Sequence, residues 1–248
     1  MPTENIDEKT LNKNGIKNFV LKVDLIKNDD LDLGKIAEKM SQYFDRTEKR
    51  QVSNFTINFT NVDSELSKIS AFDYVLVSEP TNVAMTFSEI QNSFWLEATN
   101  YKNNVVYKDL IRKVSAVIKS LGEEVEAKRI GMRYINEFEC KKASDISRIF
   151  GKRLSSILKT ILKENNQIRA IGMEEYSNEE LKLRLQYGVP NKFYPSSITT
   201  YDLLLDIDSY TESNYNVNDW ESIISKLNHS AYELFLKEMN EIFIGQLK

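Results

Sequence analysis

The chain has 248 residues, 41% of them hydrophobic and 28% charged, and a formal net charge of −4. That is enough apolar material for one sizeable core beneath a well-solvated surface. Eight glycines and four prolines are too few for a disordered chain or a long flexible linker, and no apolar run approaches the ~20 residues of a membrane helix.

Residues 1–15 are polar, mixed in charge and free of the apolar stretch of a secretory signal. They read as a disordered tail ahead of Ile16. Cys140 is the sole cysteine, so neither an internal disulfide nor a thiolate metal site is expected; it reads as a half-buried strand residue. Together these features place the chain in the cytoplasm.

From Lys17 to Lys27, Phe19, Leu21, Val23 and Leu25 alternate with polar residues, the pattern of a strand. Asp30–Arg46 carries Leu33, Ile36, Ala37, Met40 and Phe44 at helical spacing, with Asp30 as the cap. Short strands follow at Asn54–Phe59, Phe72–Val77, Val83–Phe87 and Phe94–Ala98, punctuated by Pro80, Asn82 and Asn92. Val105–Leu121 reads as a helix closed by Gly122, with Val106, Leu110, Val114, Val117, Ile118 and Leu121 on its apolar face.

The second half repeats that order. Ala127–Phe138 is a predicted strand and Ser144–Glu164 a long helix capped by Ser144. Gln167–Glu175, Leu181–Gly188 and Thr200–Asp208 are predicted strands, the last two forming a hairpin around Pro190–Ser197. Asn218–Phe243 is a closing helix, with Asn218 and Glu221 at capping-box spacing. Its apolar stripe includes Trp220, Ile223, Ile224, Leu227, Ala231, Leu234, Phe235, Met239 and Ile242. Residues 16–248 thus read as one compact unit. Its halves, 16–122 and 123–248, share a strand–helix–strands–helix order that a diverged duplication would leave. Helices come too rarely between strands for a doubly wound parallel sheet. The expected fold is α+β, mostly antiparallel sheet covered by helices.

Charge is unevenly placed: the balance is −4 over residues 1–103, +7 over 104–170 and −7 over 171–248. A basic middle between acidic flanks implies either internal neutralisation or a polarised surface. On the first helix of that middle stand Lys108, Arg112 and Lys119. On the second, Arg148, Lys152, Lys159 and Lys163 fall within about 60° of arc along about 22 Å. Two such helices side by side would offer a polyanion, nucleic acid included, one basic surface; otherwise they are solvated helix faces.

The stretch Arg129–Asn136 reads RIGMRYIN. Alternation puts Arg129, Gly131 and Arg133 on one strand face, with a gap at Gly131 that an anion or a backbone could enter. The competing reading is a ladder of ion pairs with Asp202, Asp206 and Asp208, which also share a face, alongside Lys182 and Arg184. Asp206 and Asp208 are also the minimum for a divalent cation. No nucleotide-binding signature or cofactor motif is present. His229 falls about 200° from Leu227 on the helical wheel, away from the apolar stripe.

Taken in order, FWLEATNY (Phe94–Tyr101), RIGMRYIN, LDID (Leu205–Asp208) and LNHSAYELF (Leu227–Phe235) resemble a sporadically distributed prokaryotic family of about this length and unassigned function. Its typical members carry R-I-G-x-R-Y-I-N, a later D-x-D strand and a closing amphipathic helix. The family often has a histidine after the leucine of that helix, where this chain has Asn228 followed by His229. The resemblance implies a mobile-element or defence setting. With no nucleophile, base or cofactor motif, the expected function is non-catalytic binding or regulation, the ligand being a protein, a polyanion or a small effector. The alternatives are a metal-assisted phosphoester enzyme using Asp206, Asp208, Arg129 and Arg133, and a structural subunit of a larger assembly. Partner and oligomeric state stay open.

Overall fold

A computed structural model describes residues 15–27, 31–59, 64–99, 101, 105–122, 124–162, 167–178 and 180–247; for 54–59 and 64–69 it describes the backbone alone. The first half runs β1 (Ile16–Leu25), α1 (Leu33–Met40), β2 (Arg46–Phe59), β3 (Ser64–Ser78), β4 (Val83–Ser88), β5 (Ser93–Ala98) and α2 (Val105–Ser120). The second runs β6 (Glu126–Phe138), α3 (Ile146–Ile149), α4 (Lys152–Ile161), β7 (Ala170–Ser177), β8 (Lys182–Val189), β9 (Leu203–Tyr210), β10 (Tyr215–Asn216), α5 (Trp220–Glu238) and α6 (Glu241–Leu247). The expected tail falls outside the described residues except for Gly15, whose carbonyl accepts from Glu137 N–H at 2.9 Å.

The strands form one antiparallel sheet in the order β2-β3-β4-β5-β1-β6-β9-β8-β7, with β10 against the start of β6. The fold is therefore α+β with a helix-covered sheet, as the alternation implied. The halves meet where their first strands pair, from Ile16 opposite Asn136 to Leu25 opposite Ala127. Period two then sends Phe19, Leu21, Val23, Ile130, Met132, Tyr134, Leu205 and Ile207 to one face, where they are buried under the helices. Burying each such large apolar side chain contributes roughly 1.5–3 kcal/mol. Phe19 sits among rings, with Tyr107 of α2 at 4.4 Å, Tyr101 at 4.9 Å and Tyr134 at 5.0 Å between centroids. Trp220 of α5 reaches Phe94 at 5.7 Å and donates its indole N–H to Tyr215 O. None of the described helices is long and apolar enough to cross a membrane.

Several expected boundaries are corrected. The first helix ends at Met40 rather than Arg46, because Arg46 already belongs to β2. Its cap is Asp32, which accepts from Lys35 N–H at 3.0 Å; Asp30 lies outside the described residues. The expected Ser144–Glu164 helix is broken, and so is Asn218–Phe243. Both breaks have one cause. The chain pairs with itself at Phe150 and Met239: Gly151 N–H donates to Glu238 O at 2.7 Å and Asn240 N–H to Ile149 O at 2.9 Å. A Cβ at Gly151 would lie 3.2 Å from Glu238 O, so this close approach suits glycine. Beyond the break Ile242 is 76% exposed and leaves the apolar stripe. Tyr107 and Ile111, which the helical reading of α2 left off its apolar face, are buried.

Gly188, in the β8 strand, has φ of +145°, and a Cβ there would sit 2.0 Å from Ala170 O of β7. Gly188→Ala is expected to cost at least about 2 kcal/mol in urea unfolding, from backbone strain plus the displaced strand. A change below 0.5 kcal/mol would contradict this geometry.

Candidate functional site

The face of the sheet away from the helices carries the residues singled out in RIGMRYIN and LDID. Antiparallel register sets Arg133 opposite Asp208 and Val20, and Arg129 opposite Asp24. The side chains pair diagonally. Arg133 grips Asp206 with two bonds, Nε–H to Oδ1 at 2.9 Å and Nη2–H to Oδ2 at 2.6 Å. Arg129 reaches Asp208 at 3.4 Å and Asp24 at 4.0 Å, and Lys22 closes on Asp24 at 3.0 Å. Arg184 takes Glu175 at 2.7 Å. The outcome is the ion-pair ladder of the two sequence readings. The gap at Gly131 is filled from within: Arg129 folds over it, 3.1 Å from where a Cβ would be, and lies 4.7 Å above the Tyr210 ring. Asp202 falls outside β9 and pairs instead with Lys192 at 3.3 Å.

These pairings set the electrostatics. Hydrogen bonds from Arg133 to Asp206 hold that guanidinium above its usual range. Burial pushes the Asp208 carboxyl up from 3.8, and the charges of Arg129, Arg133 and Arg184 only partly offset it. Asp206 and Asp208 are thus engaged by arginines rather than turned together toward a cation. Among the described residues there is no group of three or more His, Cys, Asp or Glu side chains arranged to hold a metal ion.

The basic helices do not form one surface. α5 packs against α2, and it meets α4 through Arg153, which binds Glu238 of α5. It therefore lies between the two. Arg112 is spent on Glu221 of α5 at 2.5 Å. The helix break separates Arg148 from Lys152. Arg148 leans on Asp145 at 3.8 Å, Lys159 donates to Ser147 Oγ at 3.0 Å, and Lys163 lies outside the described residues. Lys119 is exposed in the last turn of α2, and Lys108 lies half-buried on the same helix. Of the two readings of the charge pattern, these contacts favour internal neutralisation.

One network escaped the sequence reading. Arg153 of α4 clamps Glu238, which is only 1% exposed, at 2.8 Å and Glu174 of β7 at 2.7 Å. Tyr176 donates its hydroxyl to Glu174. Burial pushes Glu174 up, but hydrogen bonds from Tyr176, Arg153 and Tyr187 prevail and hold it below 4.5; burial and the same contact lift Tyr176 to about 12. A signal was present: Glu238 occupies the core position after Ala231, Leu234 and Phe235, and a charge there demands a partner.

His229 is exposed, 3.2 Å from Glu233. Its neighbour Asn228 is the buried residue and accepts from Tyr134 Oη at 2.6 Å, so the helix joins the RIGMRYIN strand through the position where the resembled family often has histidine. Cys140 lies just beyond β6, fully inside rather than half-buried, and burial raises its thiol to about 11, far from a reactive thiolate. No family model, curated protein or solved structure matches this chain. The likeness to the prokaryotic family stays a resemblance.

Two measurements check these assignments. Arg153→Ala strands the Glu238 carboxylate and is expected to cost about 2 kcal/mol, at the low side for a buried pair because Arg153 is itself 39% exposed. Since the Glu174 pKa is depressed, its share of wild-type stability is present above 4.5 and is lost as pH falls through the folded value. On the open face, Asp206→Asn should cost about 1 kcal/mol at neutral pH. Asp208→Asn should cost nothing or stabilise, because a carboxyl whose pKa is raised on folding favours the folded state only at low pH and loses that contribution as pH rises through the raised value. Equal losses in the two variants would refute this division.

Proposed function

We propose that this chain is a non-catalytic binding protein that engages another protein through the uncovered face of its sheet. One observation carries this reading. The face has no helix packed on it in the described fold, and it mixes the half-buried Val20, Trp95 and Ile135 with arginines whose charge is already balanced by neighbouring aspartates. Aromatic and aliphatic anchors beside oriented arginines are the composition of protein interfaces. Such a surface spans several strands, broad for a small effector. Its arginines are committed to carboxylates, and α5 parts the basic helices, so a polyanion is served less well.

Site-specific photocrosslinking in cells tests the proposal. A benzophenone amino acid placed at Glu97 or Gln186, both on the open face, is expected to trap a discrete protein partner. The same probe at Ile242, exposed on the helix side, is expected to trap none. Equal crosslinking from all three positions, or none from the face, would remove this reading.

A further inference from the structure

The two rims of the sheet are defended unequally. β2 carries Arg46, Glu48, Lys49 and Arg50 along its first turns, charges of the kind that keep an edge from pairing. β7, the other rim, has no lysine, proline or bulge between Ala170 and Ser177, and its two acids are taken by Arg153 and Arg184. The turn bond from Asn178 N–H to Leu181 O sets the phase of the β7–β8 ladder. Even-numbered residues of β7 bond to β8, and Ile171, Met173 and Glu175 direct N–H and C=O outward. Among the described residues, no backbone group outside the sheet takes these up. Nine large hydrophobic side chains are exposed among the described residues, and five of them, Ile168, Ile171, Met173, Phe193 and Tyr194, gather at this corner.

We propose that β7 pairs antiparallel with β7 of a second copy of this chain, about a twofold axis through Gly172, joining two sheets into one. Register selects that axis. Centred on Gly172, the pairing sets Ile171 against Met173 and Arg169 against Glu175, each twice by symmetry. Centred on Met173 it would oppose Ile171 to Glu175, and centred on Ile171 it would oppose Arg169 to Met173; both matches are then lost. The Gly172 axis also keeps the outward-facing residues bonded to one another and places the two glycines at the closest, non-bonded pair, where neither brings a Cβ and the Tyr187 ring of each copy lies over its own glycine. Arg169 is ready for the contact. It rests 4.3 Å from the Tyr194 ring and gives Nε–H to Pro190 O, and among the described residues no carboxylate pairs with it. The hairpin turn of each copy arrives beside Ile168, Phe193 and Tyr194 of the other. This goes beyond the face reading, and the two fail separately: a monomer that still crosslinks from the face removes only the dimer.

Sedimentation velocity of the full chain from roughly 1 to 100 µM tests it. The wild type is expected to sediment at twice its 28.8 kDa. Arg169→Glu and Glu175→Arg should each weaken dimerisation at least about tenfold, since each sets like charges together twice. An equimolar mixture of the two variants should recover the dimer, because the heterodimer again opposes unlike charges at both contacts. Met173→Lys, a change at an exposed side chain, should weaken the dimer while leaving the circular dichroism of the folded chain unchanged. A wild type that stays monomeric throughout, variants that dimerise like wild type, or a mixture that stays monomeric would each overturn the proposal.

Discussion

The pairing of β1 with β6 is the constraint on which the rest depends. Both are the first strands of their halves, both bury one face completely, and neither half could leave such a strand unpaired without exposing its backbone groups beside an apolar core. Joining them fixes the sense of every other strand. The first half adds four strands beyond β1 and the second three beyond β6. Alternation therefore makes β1 parallel to β2, and β5 parallel to β6, so one helix each, α1 and α2, carries the chain back across the sheet. β6 and β7 run opposite ways, and that connection must return to the end it left. A single straight helix there would finish at the wrong end. The break between α3 and α4 answers that requirement, and the Gly151–Glu238 and Asn240–Ile149 bonds hold it.

Charge follows the same geometry. The basic middle of the chain lies between acidic flanks in sequence and is laid against them in space: Arg129 and Arg133 on the LDID strand, Arg112 and Arg153 on the two ends of α5. Arginine suits these places because its fork holds two carboxylate oxygens at once, as Arg133 holds Asp206. Specificity of register, more than net stability, is what such pairs contribute on a half-exposed sheet face, where ion-pair energy is modest. A shift of β9 by one residue would turn Asp206 and Asp208 into the core and Leu205 and Ile207 out of it.

That neutralisation bears on function. A face whose arginines and aspartates are mutually committed offers little to a substrate phosphate or a cation, and its ion pairs leave apolar anchors such as Trp95 and Ile135 beside balanced charge, which is what the proposed protein partner would require. The edge of the same sheet carries a different offer, backbone without a partner among the described residues, flanked by exposed aliphatic and aromatic side chains. Face and edge belong to one sheet, so pairing at the edge would present two faces side by side.

Local pattern was enough for the buried face of the central strands, though not for the length of β2 and β3, which start at Arg46 and Ser64 rather than at Asn54 and Phe72. The alternation of Phe19, Leu21 and Val23, and of Ile130, Met132 and Tyr134, determined which face is buried, because side-chain direction in a strand has a period of two whatever the neighbour. The same period narrows the ladder partners of Arg129 and Arg133 to Asp202, Asp206 and Asp208, of which the structure keeps the last two, and the surface position of His229 follows from the helical wheel. Helix continuity was not local. Apolar residues continue at helical spacing through Phe150 and through Met239, and Gly151 is a weak signal alone, so nothing nearby announces that the two breaks bond to each other across 88 residues of chain. The placement of α5 between α2 and α4, the sinking of Arg129 into the space above Gly131, and the burial of Glu238 against Arg153 were likewise decided by tertiary structure. Each depends on which surfaces meet once the sheet has closed, and a single segment carries no information about its distant neighbours.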